Sequence, residues 1–223
     1  MNLYRLIQNE NMKLYGRKNS RFLLGIVFCA VWVIGCMFYG LGMISRNYWD
    51  AAGSLLGHST QVFYLILIVM TSQIVSGEFS WGTAKLLFIR PISRSGILLS
   101  KYMTSLLYAL TVMAVWIAAS LSASGVLTGG SGFNDPAGVK HCLYLILIKA
   151  TGALIFTSIS FAAALWSRSY TIPIIIGIAM TGTGITDLPI LPNTSFFVSN
   201  MIWFLLTAPV FVYAWIHFHK SDL

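Results

Sequence analysis

Six apolar stretches, separated by shorter polar ones, run along the chain. A helix needs about 17 to 25 apolar residues to cross a hydrocarbon core roughly 30 Å thick at about 1.5 Å per residue. The stretches lie at residues 22–44, 61–77, 102–126, 142–166, 170–190 and 197–216. This pattern predicts an all-α membrane protein with six transmembrane helices. The chain then divides into an arm of residues 1–21, a six-span domain of residues 22–216 and a tail of residues 217–223.

Composition agrees with a membrane protein and argues against a soluble one. Hydrophobic residues make up 57% of the 223 residues, charged ones 9%, and the mean hydropathy is +0.78. A typical soluble domain is about 25% charged, so the charged side chains here are too few to cover a soluble surface. The three cysteines, Cys29, Cys36 and Cys142, lie in apolar runs and show no metal-binding spacing. We interpret them as small packing residues.

The basic residues are distributed unequally between the two sides of the predicted membrane domain. Of the 14 Lys and Arg residues, eleven lie in the arm, in the connection after the second span, or beside the inner ends of later spans. Only Arg46 and Lys140 lie on the other side, and Lys149 lies inside a span. Cytoplasmic loops retain Lys and Arg, so both termini are predicted to be cytoplasmic. The net charge of +8 is then mainly a topology signal, and it does not favour a nucleic-acid partner.

The arm before the first span alternates basic and apolar residues at helical spacing. Its apolar positions are Leu3, Tyr4, Leu6, Ile7, Leu14 and Tyr15. An apolar stripe opposite a basic face is typical of a helix that lies in the membrane interface. Glu10 and Lys13 are spaced to form an ion pair on such a helix. The alternative is a loosely ordered positive flank that only sets the topology.

The connection between the second and third spans, residues 78–101, is too long and too apolar for a simple linker. Residues 80–89 have the length of a short amphipathic helix, and Pro91 ends it, because proline supplies no amide donor and disfavours helix at the preceding residue. Ser93 or Ser95 can cap the helix that continues into the third span. The apolar face of the short helix must pack on membrane, on neighbouring helices or on another protein. A surface helix that merely anchors the bundle is the alternative.

The residues of this connection carry a family resemblance. The arm contributes the pattern Glu10-x-x-Lys13-Leu14-x-x-Arg17-Lys18. The connection contributes Glu78-Phe79-x-x-Gly82-Thr83-x-Lys85-Leu86-Leu87, then Arg90-Pro91-Ile92-Ser93-Arg94 and Leu98-Leu99-Ser100-Lys101-Tyr102. The chain resembles the ABC-2 type permeases, the membrane subunits of ATP-binding-cassette exporters. It is most similar to small bacterial members that export, or give immunity to, antimicrobial peptides and bacitracin-like compounds.

The resemblance implies a permease in the bacterial cytoplasmic membrane that works as a dimer with an identical or homologous chain. It also implies that residues 80–89 form a coupling helix, which docks into separate ATPase subunits. The residues expected at this docking surface are Glu78, Trp81, Lys85, Leu86, Phe88, Arg90, Pro91 and Arg94. From charge, Glu78 is expected to pair with Arg94 or Lys101 and so to fix the coupling helix.

The chain itself has no motif for nucleotide chemistry. A phosphate-binding Gly-x-x-x-x-Gly-Lys-[Ser/Thr] loop is absent from the sequence, and the Gly-rich residues 128–132 contain no lysine. We therefore expect this chain not to be an enzyme and to bind no cofactor, with ATP and Mg²⁺ held by the partner ATPase. His58 and His141 are predicted to lie in outer loops, and neither they nor His217 and His219 form a metal-binding set.

Polar residues inside the spans are the candidates for a substrate pathway. They are Thr71, Gln73, Thr181, Thr183 and Lys149. Most such residues serve in helix packing, and the long stem of Lys149 allows its charge to reach the membrane interface. No acidic residue lies deep in a span, which argues against ion-coupled transport. Two alternatives to a permease remain: a non-transporting scaffold or sensor of a peptide-resistance system, and, less favoured, a secondary carrier or channel.

Overall fold

The structure of the protein is a computed structural model that describes residues 3–80 and 94–182, together with Val212 and Ile216. The side chains of residues 78–80, 94 and 182 are outside this description. The described ranges contain helices and connections but no strand, which confirms the predicted all-α fold. The helices are α1 (Leu3–Gly16), α2 (Lys18–Gly40), α3 (Tyr48–Ser80), α4 (Arg94–Thr128), α5 (Pro136–Ser167) and α6 (Thr171–Gly182).

Four of these helices are long and apolar enough to cross a membrane. The four segments are Lys18–Gly40, Tyr48–Gly77, Ser95–Thr128 and Pro136–Ser167, and they correspond to the first four predicted spans. The described part of α6 is a shorter apolar helix at the start of the fifth predicted span. The sixth predicted span, residues 197–216, lies outside the described residues apart from Val212 and Ile216. Six spans therefore stay a prediction.

The second span begins well before residue 61, where the hydropathy pattern placed its start. Helix α3 extends back to Tyr48 through a segment rich in small and polar residues. These residues do not break the helix because their hydroxyl groups bond to its own carbonyls: Ser59 Oγ donates to Leu55 O at 2.5 Å and Thr60 Oγ1 to Leu56 O at 2.6 Å. Their apolar neighbours, including Leu55 and Leu56, are buried.

The predicted position of two histidines in outer loops is wrong. His58 lies within α3, where its Nδ1 is 2.7 Å from Ser54 O, and His141 lies in the second turn of α5. Helix α5 starts at Pro136, six residues before the predicted fourth span, because Asp135 caps it and accepts a hydrogen bond from the amide of Ala137 at 3.0 Å.

Helix α3 forms the centre of the bundle. It packs against α2, α4, α5 and α6, and a much larger share of its apolar segment is buried than in α2. Stacked rings join it to its neighbours: Phe63 lies 4.6 Å from Trp116 of α4, and Tyr64 lies 4.4 Å from Phe156 of α5, measured between ring centroids. Helix α2 therefore presents most of its surface outward, as expected for a helix that faces lipid or a second protein.

One end of the bundle is closed by aromatic side chains, and we call it the aromatic end. Tyr48 and Trp49 at the start of α3 meet Phe133 in the connection between α4 and α5, with ring centroids 5.2 and 5.9 Å apart. The indole N–H of Trp49 donates to Phe133 O at 2.7 Å, and the amide of Tyr48 donates to Ser131 O at 2.7 Å. The glycine-rich connection between α4 and α5 is thus bound directly to α3.

Candidate functional site

The opposite end of the bundle carries most of the described basic residues, and we call it the basic end. It is formed by α1, the start of α2, the end of α3 and the start of α4, and it includes Lys13, Arg17, Lys18 and Lys101. The two longest described helices, α3 with 33 residues and α4 with 35, both reach this end. At about 1.5 Å per residue each is roughly 50 Å long, so each extends well beyond a hydrocarbon core.

The predicted docking surface lies between these two helices in sequence. Glu78 belongs to the last turn of α3 and Arg94 is the first residue of α4, but neither side chain is described. Trp81, Lys85, Leu86, Phe88, Arg90 and Pro91 lie outside the described residues. The coupling helix and the pairing of Glu78 therefore stay predictions. Ser95 lies inside α4 and not before it, so the suggestion that Ser95 caps this helix is wrong.

At the basic end, a carboxylate connects the arm to the bundle. Glu10 of α1 accepts from Lys13 Nζ at 2.8 Å, as its spacing predicted, and from Lys101 Nζ of α4 at 3.2 Å. Lys101 is only 5% exposed, and its ammonium group also donates to Ile74 O of α3 at 3.3 Å. The ammonium group of Lys101 thus links α4 to two other helices, α1 and α3.

The electrostatics of Glu10 follow from this arrangement. Burial alone would raise the pKa of the Glu10 carboxyl, but the positive charges of Lys101 and Lys13 outweigh burial and hold the pKa below its ordinary value. Glu10 is therefore ionised at neutral pH. An ionised carboxylate is needed here because it compensates the buried ammonium group of Lys101.

The arm is anchored by packing as well as by charge. Leu14 of α1 is 4% exposed and belongs to the main hydrophobic core. The hydroxyl of Tyr15 donates to Thr111 Oγ1 of α4 at 3.1 Å, and its ring lies 5.9 Å from that of Tyr108. The hydroxyl of Tyr108 in turn donates to Ser20 O of α2 at 2.9 Å. Helix α1 is thus an ordered element fixed to α4, which excludes a loosely ordered flank.

Two hollows lie next to each other at this end. The smaller one lies beside the ion pair and is lined by Glu10, Lys13, Arg17, Gln73 and Lys101, among others. The larger one has a volume of about 440 Å³ and shares Arg17 and Gln73 with the first. Among the proposed pathway residues that the structure describes, Gln73 is therefore the one that lines both hollows.

The other described pathway residues, Thr71, Thr181 and Lys149, are buried or half-buried within the bundle. Thr71 is buried, and Thr181 is buried with its hydroxyl bonded to Gly177 O of its own helix at 3.0 Å. Lys149 is half-buried, and its backbone carbonyl accepts from the Tyr64 hydroxyl at 3.3 Å. Thr183 lies outside the described residues. For Thr181 the environment is that of helix packing, whereas Gln73 borders open space.

Sequence reasoning missed the contact between Glu10 and Lys101. It paired Glu10 with Lys13 and gave Lys101 only as one of two possible partners of Glu78, the other being Arg94. A signal was present in the isolation of Lys101 at the beginning of an apolar run, since a buried ammonium group requires an acidic partner. The sequence does not show which acid comes near it, because 91 residues separate the two partners.

The fold defines an integral, all-α membrane protein, and comparison with known proteins gives its family. The family model for "ABC-2 family transporter protein" matches residues 6–184, which is most of the chain. The chain therefore belongs to this family, whose members are transmembrane components and not the ATPase. The predicted resemblance is confirmed at this level.

A curated relative extends the comparison over a shorter region. The chain is similar to "Uncharacterized protein YhcI" of Bacillus subtilis (strain 168), with 41% identity over 80 residues. The match covers 36% of this chain and 25% of the relative. The aligned part of the chain thus spans about a quarter of the length of that relative.

Proposed function

We propose that the protein is a permease subunit of an ATP-binding-cassette exporter, with both termini in the cytoplasm. It works with a second permease chain, identical or homologous, and with separate ATPase subunits that bind ATP and Mg²⁺. Family membership over residues 6–184 is the observation that carries the proposal. The long apolar helices and the concentration of basic residues at one end support it.

In this proposal, the basic end receives the mechanical input. ATP-driven closure of the ATPases pushes on a coupling helix at residues 80–89. The helices on either side, α3 and α4, carry the displacement into the membrane because they are long and continuous. The contact of Lys101 with both Glu10 and Ile74 O makes α1 move with them.

The substrate proposed is amphipathic or peptide-like, in keeping with the resemblance to bacterial antimicrobial-peptide and bacitracin-type permeases. The route lies between two permease chains. Gln73 is its best-supported lining residue within this chain, because it borders the hollows at the basic end. The role of the proposed docking residues rests on the family resemblance and on their position in the sequence, from the last turn of α3 to the first residue of α4.

Co-purification tests the coupling surface. Replacing residues 80–89 by a Gly/Ser linker of equal length should abolish co-purification with the ATPase, because the docking surface is removed.

Reversing the charges of Lys85 and Arg90 should lower ATP hydrolysis linked to transport. The matched control reverses Arg46 and Lys140, which carry the same charge on the opposite side, and should leave hydrolysis unchanged. Wild-type binding by the linker variant would contradict the assignment.

Flux measurements separate the proposal from its rivals. Vesicles that contain the complex should move a labelled peptide substrate only when ATP is supplied. Binding of the ATPase without any flux would favour a scaffold or sensor. Flux without an ATPase would indicate a carrier or channel.

A further inference from the structure

The exposed residues of α3 are polar or glycine, although α3 is the central helix of an apolar bundle. Within its described part, the exposed residues are Asp50, Gly57, His58 and Gln61. At about 3.6 residues per turn these four lie within about 100° of one face of the helix, and we call this face the polar stripe. In the middle of α2, by contrast, the exposed residues include Phe28 and Val33. The polar stripe therefore needs an environment different from that of the outward surface of α2.

The polar stripe reaches deep into the membrane-spanning part of α3. Gln61 lies roughly 20 Å along the helix from Tyr48, at about 1.5 Å per residue. Tyr64, one turn after Gln61, donates to the backbone carbonyl of Lys149 near the middle of α5. Tyrosine and tryptophan side chains such as those of the aromatic end favour the membrane interface, and the hydrocarbon core is about 30 Å thick. Gln61 is thus close to the centre of the membrane.

The side chains of the stripe keep hydrogen-bonding groups available to a ligand. The Gln61 amide forms no hydrogen bond with any described residue. Nδ1 of His58 lies 2.7 Å from Ser54 O and carries the proton, because a carbonyl only accepts, so Nε2 is left as an acceptor. The carboxylate of Asp50 accepts from Asn47 Nδ2 at 3.3 Å and forms no ion pair with a described residue. Hydrocarbon cannot satisfy such groups, so lipid is an unfavourable neighbour for this face.

The stripe forms the floor of a groove between α2 and α5. On one side, the ring of Phe38 of α2 lies 4.3 Å from that of His58, measured between centroids. On the other side, the thiol of Cys142 of α5 donates to Trp49 O at 3.3 Å. Among the described helices, α2 and α5 both pack on α3 but not extensively on each other. A Cβ added to Gly57 would meet nothing within 4 Å, so the floor of the groove is open at this point.

We propose that this groove is open to water and binds the N–H groups of the amphipathic substrate. Asp50, Nε2 of His58 and the amide oxygen of Gln61 are acceptors spaced along the stripe, and they suit a ligand with amide or ammonium donors. The ring of Phe38 beside them gives its apolar part a surface to contact. The substrate is the one proposed above, so its binding rests on the proposed function, whereas the entry of water does not.

Thiol labelling tests the entry of water without an ATPase or a substrate. A single cysteine replaces His58 or Gln61 in a chain whose native cysteines are changed to alanine, and the chain is placed in lipid vesicles. Val33→Cys is the matched control: it is exposed on α2 at a similar depth, since Gly35 of α2 lies beside Leu55 of α3. The reagent is the membrane-impermeant compound 2-(trimethylammonium)ethyl methanethiosulfonate, added on both sides of the membrane.

We expect His58→Cys and Gln61→Cys to react at least about tenfold faster than Val33→Cys, because a thiol in water ionises to the reactive thiolate and a thiol in lipid does not. Equally slow labelling at Gln61→Cys and Val33→Cys would overturn the groove, since lipid or protein then covers the stripe. Fast labelling of Gln61→Cys in a chain whose complex shows no ATP-dependent flux would support the groove and contradict the proposed function.

Calorimetry on the chain in detergent micelles tests the recognition of N–H groups. The probes are octylammonium, which has three N–H donors, and octyltrimethylammonium, which has the same charge and alkyl chain but none. We expect octylammonium to bind about fivefold more tightly, and Gln61→Leu to weaken its binding about fivefold. Gln8→Leu, the same change at an exposed position of the arm, should leave the affinity unchanged. Equal affinity for the two probes would overturn the selection of N–H donors, and wild-type affinity in Gln61→Leu would overturn the site.

Discussion

The two ends of the bundle are closed by different kinds of contact. At the aromatic end, Trp49 stacks on Phe133, donates to its carbonyl and packs so closely on Gly138 that no Cβ fits there. At the basic end, the arm is joined to α4 by an ion pair, and hollows lie beside it. Close-packed rings cannot move without steric clashes with their neighbours. The side chains of an ion pair next to open space can change position without such clashes. We therefore expect the aromatic end to act as the pivot and the basic end to move.

The largest loss of stability is expected at the basic end, when the charge of Glu10 is removed. In Glu10→Gln, the buried ammonium group of Lys101 loses its counter-ion, so we expect the free energy of unfolding to fall by about 3 kcal/mol. Denaturation in mixed micelles measures it. Lys13→Gln is the matched control: Lys13 is 56% exposed, and its loss should cost at most about 1 kcal/mol.

A double variant sharpens that result. Glu10→Gln/Lys101→Met removes both charges and should recover most of the lost stability, because no buried charge is left alone. If Glu10→Gln alone costs no more than Lys13→Gln, the pair is no stronger than a surface ion pair and the basic end is held by packing alone.

The next largest loss of stability is expected at the aromatic end, when one methyl group is added at Gly138. In Gly138→Ala the new Cβ meets the Cβ of Trp49, an atom attached to the backbone that cannot give way, so we expect a loss of about 2 kcal/mol. Gly57→Ala is the control, since nothing lies within 4 Å of its added Cβ. That change should be neutral or stabilise by up to about 1 kcal/mol through helix propensity. Similar effects of both variants on thermal unfolding would contradict tight packing at this end.

The cap of α5 provides a smaller test at the same end. Asp135→Ala removes the acceptor for the Ala137 amide and should cost about 1 kcal/mol. Asp135→Asn keeps an acceptor and should cost less. The midpoint of thermal unfolding in micelles measures both, and equal losses would show that charge, rather than the hydrogen bond, is what the cap supplies.

The contact of Glu10 with Lys101 should also make the stability of the protein depend on pH. The pKa of Glu10 is lower in the folded protein than its ordinary value of 4.5. Its contribution to stability is therefore fully present above pH 4.5 and is lost as the pH falls through the lower, folded pKa. Unfolding measured from pH 7 to pH 3 should show a steeper acid loss in the wild type than in Glu10→Gln. If the wild type and Glu10→Gln lose stability in parallel as the pH falls, the pKa of Glu10 is the same in the folded and the unfolded protein.

Local patterns predicted much of this fold. The apolar stretches gave the first four long helices, the stripe in the arm gave α1, and the i, i+3 spacing gave the pair of Glu10 with Lys13. These features depend on residues close in sequence, which is why the sequence alone contains them.

The features that the sequence did not predict depend on burial between distant segments. The start of α3 was placed too late because hydropathy treats Ser59 and Thr60 as breaks, although their hydroxyls are satisfied within the helix and their surroundings are buried. Asp135 followed by Pro136 is a typical start of a helix, but the hydropathy pattern alone placed the start of the span later. The contact of Glu10 with Lys101 required knowledge of which helices are neighbours.

The contact between α1 and α4 also has a consequence for biosynthesis. Glu10 leaves the ribosome 91 residues before Lys101, and at about 5–20 residues per second this is an interval of roughly 5–20 s. During that time the arm has no partner from α4, and its apolar stripe must be sheltered by the membrane surface or the insertion machinery. The arm can take its final position only after the third predicted span has been inserted. Helix α1 is thus made before α2, α3 and α4 but can reach its native place only after all three have been made.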